Sequence, residues 1–397
     1  MRGLLSLRPA PLIMPSPALF LCLLFPASAL YSYLLMRLSL LPWERVQDQH
    51  WTERARWLWL ARKTRTAVAL GTVGLSLIVH YELVRDEPNF APTVFISLGG
   101  FLAAQFFIDR RIRPQSTLRQ WLAQMLTMLG ITAAIVGTIG WTALCTGEHL
   151  ARADWLRLTL AALLLVLIYS GVWLLALPGR GKNPHTPRLR KIVDELTAAA
   201  RLPPVRAWVA DGIMANAFAL MYIRSIVVTA PTMNVLNDEE LRTLVQHEMA
   251  HLCESVPVRC ARMLGGLSWL GFAFTRPVVH HLGGGGVFWI ILGVMLLRRF
   301  TQNIAKKMES RADSMSVKDE AEGPIYARAL EKLYEANLLP AVMTKRLVHP
   351  HLYDRMTAAG LTPAYPRPAP PPQWHWTFFA AIVPAAFWLG WTLAAKH

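Results

Sequence analysis

The sequence predicts an α-helical integral membrane protein of about seven to eight transmembrane helices that also carries a mainly α, small-β domain. Three observations lead there. The 397 residues are 54% hydrophobic and 17% charged with a net charge of +16, too apolar a balance for an ordinary soluble chain of this length. Apolar runs long enough to cross a bilayer core of about 30 Å recur along the chain. Between Gly179 and Arg259 the composition turns polar, and there Gln246-His247-Glu248-Met249-Ala250-His251-Leu252 contains an H-E-x-x-H sequence.

The elements follow in order. Residues 1–178 read as a membrane domain of about five helices, with apolar runs at 18–36, 66–84, 90–108, 121–145 and 156–177. Arg2 and Arg8 before the first run and Ala27-Ser28-Ala29 after it also fit a cleaved signal peptide. The strongly basic segment 37–65 favours an uncleaved first helix that ends in the cytoplasm. Connectors then alternate: the link at 85–89 is not basic, Arg110-Arg111-Arg113-Arg119 is, the link with Glu148 and Asp154 is mixed, and Arg180 to Lys191 is basic again. The positive-inside rule therefore puts 37–65, 109–120 and 179–259 in the cytoplasm, and 85–89 and 146–154 outside. His80 and Glu82, near the outer end of the second helix, are expected to snorkel to the interface.

Residues 179–259 should form the first part of a cytoplasmic domain: an amphipathic helix at 187–201, a short strand at Val205–Ala210, a hairpin or bent strand at Ala217–Ala230, and a helix at 238–254. Asn237 stands at its N-cap position with Glu240 three residues on, the pattern of a capping box, while Leu241, Leu244 and Val245 supply a buried face. Residues 260–299 read as a transmembrane or re-entrant helix pair, 260–282 and 285–298, interrupted by Gly283 to Gly286. The stretch 300–362 returns to the polar domain with a helix at 302–318, further helices at 323–337 and 340–346, and one containing Arg355. A Pro-rich linker at 363–375 leads to a last apolar helix in 376–397.

The basic balance does not indicate nucleic acid, because the Lys and Arg residues lie in short clusters between apolar runs, as loops facing a cytoplasm do. The four cysteines, Cys22, Cys145, Cys253 and Cys260, are too few and scattered for a disulfide scaffold and read as reduced and structural. Few ionisable residues interrupt the apolar runs, which argues against a transporter.

On a helix His247 and His251 are four apart, so both imidazoles leave one face and can grip one zinc ion, while Glu248 stands beside them to act on water. A catalytic zinc takes three protein ligands and keeps a position for water. The candidates for the third are Glu254, Glu309, Asp313 and the pair His280 and His281; Glu254 follows too closely on the same helix to close a tetrahedron easily, which favours Glu309.

These residues resemble the HtpX and CAAX prenyl protease group of integral-membrane zinc metallopeptidases, which are gluzincins. The resemblance rests on Asn216-Ala217-Phe218, His247-Glu248-x-x-His251, Glu309-x-x-Ala312-Asp313, and His349-Pro350 with Arg355 six residues after the histidine, in that order within 183–360. It implies one zinc per chain held by His247, His251 and Glu309, with Glu248 as general base and Asp313 orienting a ligand histidine. It also implies that Asn216, Ala217 and Phe218 hold the substrate backbone, and that His349 and Arg355 lie near the oxyanion or brace the site. The implied partners are protein or peptide substrates, foremost membrane proteins, and the lipid bilayer; a bacterial inner membrane with the catalytic domain in the cytoplasm fits the short loops. HtpX-type members carry two helices before the catalytic domain, whereas five are expected here, nearer the CAAX-protease layout. A catalytically idle scaffold or sensor is the competing reading; it predicts damage to the ligand set, and the sequence has none.

Overall fold

A computed structural model describes residues 16–84, 89–176, 181–317, 321–344 and 350–394. In chain order the helices are α1 (Pro17–Glu44), α2 (Trp51–Leu83), α3 (Ala91–Ile112), α4 (Leu118–Cys145), α5 (Arg152–Ser170) and α6 (Thr186–Ala199). Strands β1 (Arg206–Ala210), β2 (Ala217–Leu220) and β3 (Ser225–Thr229) come next, then α7 (Ala230–Val235), α8 (Asp238–Leu252), α9 (Val256–Leu267), α10 (Thr275–Leu282), α11 (Gly286–Met315), α12 (Glu322–Asn337), α13 (Leu352–Ala358) and α14 (Trp376–Ala394). The chain divides into two units, one of Met1–Ser116, Leu338–Pro340 and Ala369–His397, the other of Thr117–Asn337 and Ala341–Pro368. The expected link at 85–88, the boundary at 178–179 and His349 lie outside the described residues.

In the first unit α1, α2, α3 and α14 pack around Leu35, Leu40, Leu58, Val68, Phe101, Ile108 and Ala381. Small polar residues stitch α1 to α2: Ser32 and Thr72 are 2.7 Å apart, and Ser28 and Ser76 3.4 Å. A Cβ at Gly71 would collide with the carbonyl of Ala381, so only glycine lets α14 lie this close to α2. Two expectations need correction. The basic segment 37–65, expected as a loop between the first two apolar runs, is mostly helical, because its Leu, Arg and Lys residues are good helix formers and Arg37 and Arg65 find Glu44 and Asp109, each at 2.6 Å. His80 does not snorkel; it is 4% exposed and shares a 2.7 Å hydrogen bond with Thr93.

The second unit holds the small sheet, ordered β1-β3-β2, with β1 parallel and β2 antiparallel to β3. The expected hairpin is present; a short 3-10 turn at Met221–Ile223 and Arg224 in the left-handed region join its strands. Leu189 and Val193 of α6, Val209, Ile226 and Val228 of the sheet, Leu241, Leu244 and Val245 of α8, and Ala329 and Leu333 of α12 form the core.

Among the described residues, six helices are long and apolar enough to span a membrane: Ala18–Glu44, Trp51–Leu83, Ala91–Ile112, Leu118–Cys145, Arg152–Ser170 and Gly286–Met315. The shorter apolar stretch Trp376–Phe387 lies in α14. The expected continuous helix at 260–282 is broken into α9, a 3-10 stretch at Ser268–Phe274 and α10. Gly265, Gly266 and Gly271 weaken the helix there, and the Ser268 hydroxyl donates to the Gly265 carbonyl at 2.8 Å. Conversely, the expected helices 285–298 and 302–318 are one, the 30-residue α11, since nothing between Arg298 and Gln302 breaks a helix. The described part of 340–346 is not helical, and Pro340 opens it. All four cysteines are free; Cys22, Cys145 and Cys260 are exposed and Cys253 partly so.

Candidate active site

Helix α8 starts on a complete capping box: Asn237 Oδ1 accepts the Glu240 N–H at 2.8 Å, and the Glu240 carboxylate accepts the Asn237 N–H at 3.0 Å. Glu240 is buried and pairs with Lys332 of α12 at 2.7 Å, which ties the start of α8 to α12. With Leu241, Leu244 and Val245 turned into the core, the helical period presents His247 and His251 together toward α11. Both are buried, as are Glu248 and Glu309.

Glu309 of α11 completes the set. Its Oε2 lies 3.6 Å from His247 Nε2 and its Oε1 3.6 Å from His251 Nε2. One donor atom from each of the three residues falls within 4.8 Å of the others, and among the described residues no other trio of His, Cys, Asp or Glu does so. Two imidazole nitrogens and a carboxylate, all buried, make a candidate site for a divalent metal, and this is a donor set zinc accepts.

The opposite ring nitrogens are held by different groups. His247 Nδ1 lies 2.9 Å from the Tyr326 hydroxyl and 3.1 Å from Asp313 Oδ1. Arg355 donates from Nε to Asp313 Oδ2 at 3.0 Å and from Nη2 to Asp313 Oδ1 at 2.6 Å and to the Tyr326 hydroxyl at 2.7 Å. The single phenol proton goes to Asp313 Oδ1 at 2.8 Å, so His247 must be the donor at Nδ1. Burial raises the Tyr326 pKa well above the usual phenol range, which keeps that proton in place. His251 Nδ1 meets Glu254 Oε1 at 2.8 Å, and Arg262 donates to the same oxygen at 2.6 Å. A carboxylate only accepts, so His251 too carries its proton on Nδ1. In the neutral form of each ring the Nε2 lone pair then faces Glu309 and the candidate metal position.

The same carboxylates govern charge. Burial works against protonation of His251, yet the hydrogen bonds with Glu254 and Glu309 carry its pKa up to about 9. For His247 burial also opposes the charge, and Asp313 and Glu309 outweigh it, so its pKa is raised.

The structure assigns new surroundings to several residues. Glu254, weighed as a third ligand, sits on the Nδ1 side of His251, away from Glu309. His280 and His281 stand beside His149 rather than at this site. Arg355 is 8% exposed and anchors Asp313. Asn216 is exposed and precedes β2; its main-chain oxygen accepts from Thr229 N at 2.9 Å and from the Thr232 hydroxyl at 3.0 Å, and its Oδ1 accepts the Ala217 N–H at 3.0 Å. Ala217 and Phe218 begin the edge strand, with Phe218 40% exposed. Sequence reasoning missed Tyr326, Arg262 and Asn337. The side-chain amide of Asn337 brackets Ala215 by accepting its N–H at 2.9 Å and donating to its carbonyl at 2.6 Å. None of the three carries a sequence signal, since each acts across elements.

With that geometry in view, comparison with known proteins identifies the class. Residues 183–361 match the model of Peptidase family M48. The region that carries the site is thus an M48 peptidase domain. Among curated relatives, Protease HtpX homolog of Acidiphilium cryptum (strain JF-5) is 28% identical over 162 residues, 38% of this chain and 56% of the relative. Protease HtpX homolog 1 of Sulfolobus acidocaldarius is 28% identical over 202 residues, 43% and 64% of the two chains. Protease HtpX homolog of Methanothermobacter thermautotrophicus is 36% identical over 74 residues, 18% and 29%. The chain spans about half the length of the curated relatives it matches. Over this region the chain is similar to HtpX-type proteases, the group whose motifs the sequence resembles.

Proposed function

We propose that this chain is a membrane-embedded zinc endopeptidase that cleaves membrane or membrane-associated proteins, in quality control or in maturation of a particular substrate. The observation that carries the reading is the closed set of His247 Nε2, His251 Nε2 and the Glu309 carboxylate, with both Nδ1 atoms already committed to other partners. His247, His251 and Glu309 would hold one zinc, which when bound polarises a carbonyl and lowers the pKa of water. Glu248, buried between the two histidines in sequence, takes the proton of the attacking water and delivers it to the leaving amine nitrogen. Asp313, braced by Arg355 and Tyr326, fixes the His247 ring, and Glu254 with Arg262 fixes that of His251.

Substrate is held as an extended strand along β2. Thr229 N donates to Asn216 O, so by the alternation of an antiparallel ladder Phe218 and Leu220 bond to β3, while Ala217 and Ala219 turn their main-chain groups to the free edge. A peptide added there gains main-chain hydrogen bonds with shallow side-chain preference. Asn216 uses its Oδ1 to cap the Ala217 N–H, and its NH2 group supplies a donor for a substrate carbonyl.

The decisive experiment measures zinc content and peptide cleavage in the purified chain. About one zinc on these ligands is expected, lost in Glu309→Ala, and Glu248→Gln should keep the metal while cleavage disappears. Wild-type metal content in Glu309→Ala would exclude Glu309 as a ligand, and residual cleavage in Glu248→Gln would exclude its role as base. The clustering of Lys and Arg in alternate connectors supports a catalytic domain on the cytoplasmic side of a bacterial inner membrane. Labelling of a cysteine placed at Gly181 from the external side would reverse that orientation.

A further inference from the structure

Helix α10 ends in two histidines that the candidate active site does not use, His280 and His281, and the loop between α4 and α5 carries Glu148 and His149. The fold collects the four. The His149 ring centroid lies 4.6 Å from that of His280 and 6.0 Å from that of His281, and the His280 and His281 centroids are 5.1 Å apart. Glu148 Oε2 lies 3.3 Å from His280 Nδ1. These ring separations bracket the 5.0 Å between the His247 and His251 centroids, but the donor atoms of the four do not converge as those of His247, His251 and Glu309 do, so a shared ion requires the exposed side chains to rotate toward it.

Both supports are fixed, although the rings are not. Arg157 of α5 donates to the Cys145 carbonyl at 2.7 Å and pairs with Asp154 at 2.6 Å, and Asp154 accepts the Ala151 N–H at 2.9 Å, so the ends of the α4–α5 loop are tied. A Cβ at Gly286 would come within 2.9 Å of the Val278 carbonyl oxygen, so glycine is needed for α10 to fold this closely onto α11. The side chains themselves are exposed, 39% for His280 and 66% for Glu148, and have room to rotate their donors onto a common point. Packing is a weak reason to gather three polar rings and a carboxylate at an exposed helix end. Three imidazoles with one carboxylate are a donor set for zinc and neighbouring divalent transition metals.

We infer that Glu148, His149, His280 and His281 form a second divalent-metal site, a zinc clamp that joins the α4–α5 hairpin to the α10–α11 hairpin. Gly286, at the α10 end of α11, and Glu309 are 23 residues apart on one helix, about 35 Å, so the clamp and the candidate active site do not share ligands or a coordination sphere.

The test titrates the full chain in detergent with zinc, held at micromolar free concentration by a metal buffer, and counts bound metal. Wild type should take up two equivalents, and His149→Ala and the double variant His280→Ala/His281→Ala one each, with peptide cleavage unchanged. Glu309→Ala should lose the other equivalent and keep the clamp. A wild-type chain that stops at one equivalent, or a second equivalent that persists in both histidine variants, overturns the clamp. Failure of the catalytic reading looks different, because it appears as unchanged zinc content in Glu309→Ala.

Discussion

Replacing Tyr326 by phenylalanine isolates the contribution of one hydroxyl to the metal site. The ring is 1% exposed and keeps its packing, so the change removes only the bonds of the OH group to Asp313, Arg355 and His247, at 2.8, 2.7 and 2.9 Å. None of the three partners is stranded. Asp313 keeps both Arg355 contacts, and His247 Nδ1 keeps Asp313 Oδ1 at 3.1 Å. The loss in stability should therefore be about 1–2 kcal/mol, the range of a few partly compensated hydrogen bonds. Zinc affinity should fall about tenfold, the low end of what outer partners of a ligand histidine contribute. Asp313→Asn is the contrast, because it leaves the buried Arg355 guanidinium facing a neutral amide, a change worth about 3–5 kcal/mol. Chelator competition for zinc and thermal unfolding in detergent give both quantities. Zinc affinity in Tyr326→Phe within about twofold of wild type, or a loss as deep as that of Asp313→Asn, would refute the assignment of Tyr326 as a support for His247.

Zinc affinity should depend on pH up to an alkaline limit. In the metal-free chain His251 holds a proton up to about 9, since its raised pKa favours the charged form below that value, and the His247 pKa is raised as well; zinc must displace these protons, so affinity should climb at least tenfold per pH unit through 7 and 8 and level off near 9. A plateau already at pH 7 in a competition assay would mean that Glu254 and Glu309 do not hold the His251 proton. Asn216→Ala should lower peptide cleavage by about one to two decades through lost positioning, with zinc content and fold intact because its main-chain bonds to Thr229 and Thr232 remain. Cleavage at the wild-type rate would leave Asn216 as a turn residue only.

How far the sequence could be read follows the range of the interactions involved. The capping box of Asn237 and Glu240, the buried face of α8 and the four-residue spacing of its histidines are local, and each is legible in a few neighbouring letters. Helix extents fail where the apolar pattern stops but the helix does not: α2 continues through basic residues that pair with acids elsewhere, and α11 carries an apolar half and a polar half without a break. The break within 260–282 goes the other way, because composition there is apolar enough to hide three glycines. Tyr326 and Asn337 are illegible for a different reason. Both sit on α12 and act on residues that lie 79 and 122 positions away, so only the folded chain reveals their partners.

The two ligand histidines are supported on different length scales, and this has a consequence for how the site assembles. His251 is held by Glu254 and Arg262, three and eleven residues further along the chain, so its ring is fixed almost as soon as α8 meets α9. His247 depends on α11, α12 and α13 together, through Asp313, Tyr326 and Arg355. Glu309 and Asp313 are four apart on α11 and serve opposite nitrogens of the same ring, with Glu309 toward Nε2 and Asp313 toward Nδ1. A shift of α11 by one residue would turn its face by about 100° and move it about 1.5 Å, removing both carboxylates at once. The register of that helix is set in part by its apolar half, where Gly286 is packed against Val278, so the geometry of the metal ligands is tied to the packing of a segment long and apolar enough to lie in a membrane.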